Sequence, residues 1–210
     1  GIDTEDKVVS TMYSGLNTLG LEYEKLSSQL VEPTIADDIK QSAIWAVLFS
    51  ILTIFLYILI RFRKWQFGLG ALVAVFHDVL VVLGVFSIFY SIAPWSMEID
   101  QAFIAAILTV VGYSINDTVV VFDRIREFVG LHKNRPYKQV VNDALNSTLS
   151  RTINTSMSTF LVLLMIFIFG GEVIRGFVFA LMVGVVVGTY SSLCVAAPTV
   201  IDLSKEKDSE

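Results

Sequence analysis

The stretch QAFIAAILTVVGYSINDTVVVF, Gln101 to Phe122, decides the fold class. It is long enough to cross a hydrocarbon core as a helix, which takes about 20 residues, and it contains no Lys or Arg. Its Val and Ile content would favour a strand in water. In lipid the backbone must satisfy its own hydrogen bonds, and a helix is the simplest element that does so. The apolar run is also too continuous for the alternating strands of a membrane barrel. Asn116 and Asp117 break the run near one end.

Four more stretches of the same kind surround it: Ser42 to Ile60, Phe67 to Tyr90, Thr152 to Phe169 and Val173 to Val200. The expected fold is therefore an all-α integral membrane protein with five transmembrane helices. The whole chain agrees, with 54% hydrophobic and only 17% charged residues and a mean hydropathy of +0.68. A soluble domain carries roughly 25% charged residues. Cys194 is the single cysteine, so a disulfide within the chain or a multi-cysteine metal site is excluded. There is no phosphate loop, Cys/His cluster or nucleophile elbow, so no enzyme, cofactor or metal is expected. The basic residues are spread over loops, unlike a nucleic-acid surface.

Orientation follows from the connections. Arg61, Arg63 and Lys64 lie between the first two spans, and Arg124, Arg126, Lys133, Arg135 and Lys138 between the third and fourth. SIAPWSMEID has no basic residue, and GGEVIRG has only Arg175. The positive-inside rule puts the basic loops and C-terminus in the cytoplasm and the N-terminal segment outside. Trp45, Tyr90 and Trp95 then mark the outer interface and Trp65 the inner one.

Residues 1–33 differ in kind. Val8, Val9, Met12 and Leu16 recur at helical spacing, and LEYEKL reads as a strand, together the expected remnant of an external (periplasmic) α/β domain. The polar start without an initiator Met reads as a cut inside a longer protein. Residues 34–200 form the expected transmembrane domain, with Thr34 as helix cap and Asp37 at the capping-box position. Within it, residues 123–150 are expected as a cytoplasmic loop, broken at Gly130 and Pro136, in which YKQVVNDALNSTL lies along the membrane surface. Residues 201–210 form a cytoplasmic tail. Gly184 and Gly188 make a GxxxG on the fifth helix, and Gly112 and Ser114 are read as small packing positions on the third.

Ionisable groups inside a span cost roughly 2.5–3.5 kcal/mol each near the bilayer centre, so they are candidate functional residues. Asp117 is the foremost: either it takes up and releases a proton, or it is a fixed helix–helix contact. Arg151 opens the fourth helix in the same leaflet, where it can pair with Asp117 or snorkel alone. Asp123, six residues beyond Asp117, reads as a solvated or structural charge. His77 and Asp78 sit mid-span in the second helix and point about 100° apart, which argues against one shared partner. Either could join a proton relay, or Asp78 could bridge two helices.

These motifs also carry a resemblance. VGYSINDTVVVFDRIRE (Val111 to Glu127), TLSRTINTS (Thr148 to Ser156), VVGTYSS (Val186 to Ser192), FHDV around His77 and the Phe169-Gly170-Gly171 turn resemble the SecF family. That family is the smaller partner of SecD within the resistance-nodulation-division (RND) superfamily. The resemblance covers Val31 to Pro198. It departs from the family at Glu32, where a Gly is usual, and at Met157-Ser158, where the family continues with a Thr pair. It implies an RND-type bundle in which Asp117 and Arg151 map onto the proton path; Asn116, Asp78 and His77 are further proton-path candidates on the reading of the residues alone. It also implies protein export driven by the proton-motive force across the bacterial inner membrane. The partners it implies are SecD (separate or fused), the SecYEG channel, YajC, the translocating preprotein and the lipid bilayer. The competing readings are an RND-type exporter of small molecules or lipids, and a membrane scaffold without ion movement.

Overall fold

The structure, a computed structural model, describes residues 10–16, 18 and 33–204. Residues 10–16 are helical, including Met12 and Leu16 of the expected amphipathic helix. Val8, Val9 and the strand read in LEYEKL lie outside the described residues. The chain divides into two units between Asp38 and Ile39.

There are five long helices, and the second unit begins within the first of them: α1 (Pro33–Phe62), α2 (Trp65–Phe89), α3 (Gln101–Leu131), α4 (Tyr137–Phe169) and α5 (Glu172–Ser191). A π-helical turn, Ser192–Ala196, and a short α6 (Ala197–Leu203) continue the line of α5. All five spans are long and apolar enough to cross a membrane, as the sequence requires. Pro198 explains the π turn. Its ring would collide with the carbonyl four residues back, that of Cys194, and it has no N–H to donate, so the helix widens just ahead of it.

Three boundaries differ from expectation. Thr34 is already inside α1, so it is not the cap. The connection after α3 shrinks to residues 132–136, because Gly130 stays helical in α3 and Pro136 becomes the N-cap of α4. The segment read as a separate surface helix is thus the first part of one continuous helix, Tyr137–Phe169. At 1.5 Å per residue α4 is about 50 Å long, well over the roughly 30 Å of a hydrocarbon core. Its polar first turns therefore extend beyond the span, and Arg135 ties the connection to Asp143 at 2.8 Å.

Two apolar clusters hold the bundle. Near the basic loops, Phe62, Phe67 and Phe122 form an aromatic triangle, with ring centroids 4.9–5.8 Å apart, that joins α1, α2 and α3. At the other end, Phe86 packs on Phe103 at 4.4 Å, and Met97 is buried beneath them. Trp95 does more than mark an interface there, since its ring stands edge-on to both Phe167 and Phe179. The loop before α3 ends on Asp100, whose side chain accepts the Phe103 N–H at 2.8 Å and caps the helix.

The close approach of α3 and α5 is the contact that positions the functional groups. A Cβ at Gly184 would collide with Val110, and one at Gly188 would lie 3.0 Å from the Cβ of Ser114. The GxxxG therefore seats α5 directly on α3. Gly112 does not share in this, because it lies on an exposed face with no side chain near it.

Candidate functional site

Helix α3 carries two polar groups on different sides. Ser114 and Thr118, one turn apart, face α2 and the line of α5. Tyr113 and Asp117, also one turn apart, face α4.

On the first side Asp78 is fully buried. Its Oδ2 accepts a hydrogen bond from Ser114 Oγ at 2.5 Å and another from Ser191 Oγ at 2.8 Å. Its Oδ1 lies 3.0 Å from Nδ1 of His77. The other nitrogen of that ring, Nε2, is 2.6 Å from the hydroxyl of Tyr190, and the two rings meet edge to face at 5.4 Å. Adjacent residues of α2 thus address adjacent residues of α5, Tyr190 and Ser191. His77 and Asp78 share no partner residue, as their angular separation argues; both lie beside one helix, and each takes a different residue of it. Next to them Ser192 bonds Thr118 at 2.9 Å and donates to the Gly188 carbonyl.

On the other side Asp117 is 6% exposed and, among the described residues, accepts a single hydrogen bond, from Ser156 Oγ of α4 at 3.3 Å. Tyr113 adds contacts at 3.4 Å to Ser156 and to Thr159. Among the described residues Asp117 and Arg151 form no direct ion pair. Arg151 acts on Asp117 only at longer range. It lines a cavity of about 420 Å³ at the basic end, together with Arg61, Asp123, Arg124, Glu127 and Thr148. Asp123 is anchored there by Arg61 at 2.9 Å and Arg126 at 3.0 Å, and Arg124 pairs with Glu127 at 2.8 Å.

Asn116 is not brought to Asp117. It faces out of the bundle, as do Arg151, Asn154 and Ser158 on α4. The sequence reading missed Ser191, Ser192, Thr118 and Tyr190, and took Ser114 for a packing residue. The available signal was the spacing of hydroxyls inside apolar runs: Ser114 and Thr118 share one helical face, and the consecutive Tyr190, Ser191 and Ser192 fan polar groups across about 200° of the helix.

Comparison with known proteins agrees along the chain. The family described as Protein export membrane protein SecD/SecF, C-terminal, matches residues 11–206. The protein translocase subunit SecF of Rhodothermus marinus is 58% identical over 180 residues, covering 86% of this chain and 58% of the relative. The protein translocase subunit SecDF of Thermus thermophilus is 44% identical over 176 residues, which is 84% of this chain and 23% of that one. A crystal structure of SecDF in a super-membrane-facing form superposes with a TM-score of 0.72 at 41% identity, covering 83% of this chain and 22% of that chain. The chain thus spans just over half the length of the SecF relative and under a quarter of the SecDF chains. With the family matched from residue 11 to 206 and the five-helix membrane fold shared, the chain belongs to the SecD/SecF C-terminal family of protein-export membrane proteins.

Proposed function

We propose that this chain is the proton-handling membrane module of a SecD–SecF complex, which uses the proton-motive force to promote preprotein movement through the SecYEG channel. The observation that carries the reading is the setting of Asp117. Its carboxyl is buried inside an apolar bundle, held by one 3.3 Å hydrogen bond and faced at a distance by Arg151. A structural carboxylate in lipid would be expected to carry several short hydrogen bonds or a direct cation. A carboxyl held this loosely is free to gain and lose a proton.

The basic end is the cytoplasmic side of a bacterial inner membrane, and the arginine-lined cavity is the water-filled approach to Asp117 from that side. Arg151 closes on the ionised Asp117 and withdraws when it is protonated, which shifts α4 against α3. Each elementary charge crossing the membrane delivers about 2.3 kcal/mol per 100 mV, so a few charges can drive a domain movement. SecD, fused or separate, covers the polar band of Asn116, Arg151, Asn154 and Ser158, which lipid would solvate poorly. Asn116 then belongs to the path from the partner's side. The preprotein, SecYEG and YajC engage parts of the assembly outside this bundle.

Preprotein translocation in cells whose full-length protein carries Asp117→Asn tests the reading. Export is expected to fall to the level of a deletion strain, with insertion and assembly intact and no response to the proton gradient. Unchanged, gradient-dependent export would overturn it in favour of a scaffold.

A further inference from the structure

The cavity at the basic end of the bundle holds more positive charge than its own carboxylates balance. We propose that it seats the phosphate of an anionic membrane lipid, and that this headgroup is the counter-ion that receives Arg151 when Arg151 leaves Asp117. The inference rests on the proton-handling reading of Asp117 and names what regulates its arginine.

The carboxylates of the cavity are already taken. Asp123 Oδ1 accepts from Nη2 of Arg61 at 2.9 Å and from Nη2 of Arg126 at 3.0 Å, and Glu127 Oε2 accepts from Nη1 of Arg124 at 2.8 Å. Arg151 lines the same cavity, and among the described residues its guanidinium has no ion pair or hydrogen bond. Arg61, Arg124, Arg126 and Arg151 thus stand against Asp123 and Glu127, which leaves two positive charges over. Like charges repel more strongly at a membrane edge than in bulk water, so the set calls for an anion. Donors are free to hold one. Among the described residues Arg61 spends only Nη2 on a side chain, and Arg124 only Nε and Nη1. A guanidinium offers five N–H groups in a fork that fits phosphate.

Depth and shape select the kind of anion. Arg61 lies one residue from the end of the apolar span Gln41–Phe62, so the cavity opens where hydrocarbon gives way to headgroups. Its volume of about 420 Å³ is in the range that takes a small ligand. Beside the arginines its wall is made by half-buried Val119 and Val120, and Tyr57, one turn up α1 on the Arg61 face, is exposed. An ion arriving from water gains nothing from that apolar side. A phosphodiester carrying acyl chains follows it into the bilayer. Basic pockets between spans are a recurrent seat for anionic headgroups. A zwitterionic lipid would bring an ammonium into the surplus positive charge, so phosphatidylglycerol is favoured over phosphatidylethanolamine. The headgroup enters hydrated, and the cavity still leads water toward Asp117.

The coupling follows from the pairing. When Asp117 is protonated Arg151 loses its anion, and with Asp123 and Glu127 occupied the lipid phosphate is the partner left to it. When Asp117 ionises, it draws the guanidinium back. Headgroup and carboxylate compete for one arginine, and the lipid sets how readily it switches.

Native mass spectrometry of the full-length protein with its SecD partner, released from vesicles of equal parts phosphatidylglycerol and phosphatidylethanolamine, tests the proposal through the lipid retained. The parent is expected to retain phosphatidylglycerol in preference. Arg61→Gln and Arg124→Gln should each weaken that retention about 5-fold, and Glu127→Gln, which frees Arg124, should strengthen it. The opposite signs keep the test decisive even if one arginine variant fails to assemble. Equal retention of the two lipids, or no change in these variants, would overturn the site. Inorganic phosphate that strips the lipid from the parent at millimolar concentration would assign the cavity to a free anion and overturn the lipid. Asp117→Asn leaves Arg151 to the headgroup and should raise retention several-fold; an unchanged value would overturn the counter-ion role. The proton-handling reading is judged separately, by export in that same variant, so a phosphatidylglycerol site alongside unchanged export would keep the site and remove that reading.

Discussion

The two buried carboxyls of this bundle lie on neighbouring helices and differ in almost everything else. Asp78 is completely enclosed, and each of its oxygens has at least one short polar contact drawn from α2, α3 or α5. Asp117 keeps a trace of exposure, one long hydrogen bond and a distant arginine. What separates them is α3, which turns Ser114 and Thr118 to one neighbour and Tyr113 and Asp117 to another. Burial alone therefore does not define a site. The number and directness of the partners decide whether a carboxyl fastens helices together or stands ready to change state.

The contrast predicts opposite signs of stability change. Asp78→Ala strands the Ser114 hydroxyl and the Nδ1 edge of His77 and leaves a void between three helices. Each unsatisfied buried group costs about 1–3 kcal/mol. Ser191 can fall back on the Gly188 carbonyl at 3.2 Å, so the net loss should be about 2–3 kcal/mol. Asp117→Ala gives up one weak contact and removes a poorly compensated charge from the membrane, so it should be neutral or stabilising by up to about 1 kcal/mol. Thermal unfolding of the full-length protein in nanodiscs measures both. Equal losses would erase the distinction.

A second prediction strikes the element on which the contrast depends. Gly188→Ala puts a methyl 3.0 Å from the Ser114 Cβ, and Ser114 carries the shortest bond to Asp78. Ser114 and the α3 backbone beside it must give by a few tenths of an ångström, at a cost of about 1–3 kcal/mol. The Asp78 group should loosen, as seen in faster exchange of its hydroxyls, while the Asp117–Ser156 contact on the α4 side is unchanged. Gly112→Ala, on a face with no neighbour among the described residues, should cost nothing measurable in the isolated protein. A similar loss at both glycines would mean that the α3/α5 contact does not set the two sites apart.

How far the sequence carried this picture depends on what each feature answers to. The five spans were legible because lipid imposes one rule on every residue of a helix, and that rule appears directly as apolar length. Asp117 and Asp78 stood out because charge is costly in that setting. The partners were harder to read. Ser191 and Tyr190 are ordinary residues in an apolar helix until α5 is seated against α2, and that seating depends on Gly184 and Gly188 meeting Val110 and Ser114. That Arg151 stands off from Asp117 in this arrangement was hard to read for a related reason. Sharing a leaflet does not fix the rotation of α4, which turns Ser156 toward Asp117 and Arg151 toward the cavity. The surface helix was misread because a polar helix continuous with a span looks, residue by residue, like one lying beside it.

The smallest expected effect is also the finest probe of the comparison. Ser156→Ala removes the single hydrogen bond to Asp117 and frees Tyr113 to rely on Thr159. Side-chain hydrogen bonds within membranes average about 0.6 kcal/mol, so the change in unfolding free energy should be no larger than that. The functional consequence should still be visible. With its one direct partner gone, Asp117 depends on Arg151 alone, and gradient-driven export should become more sensitive to Arg151→Lys than it is in the parent. A double-mutant cycle on export rate reads that coupling. Strict additivity would mean that Ser156 and Arg151 do not act on the same carboxyl, and that the looseness of Asp117 is not what distinguishes it from Asp78.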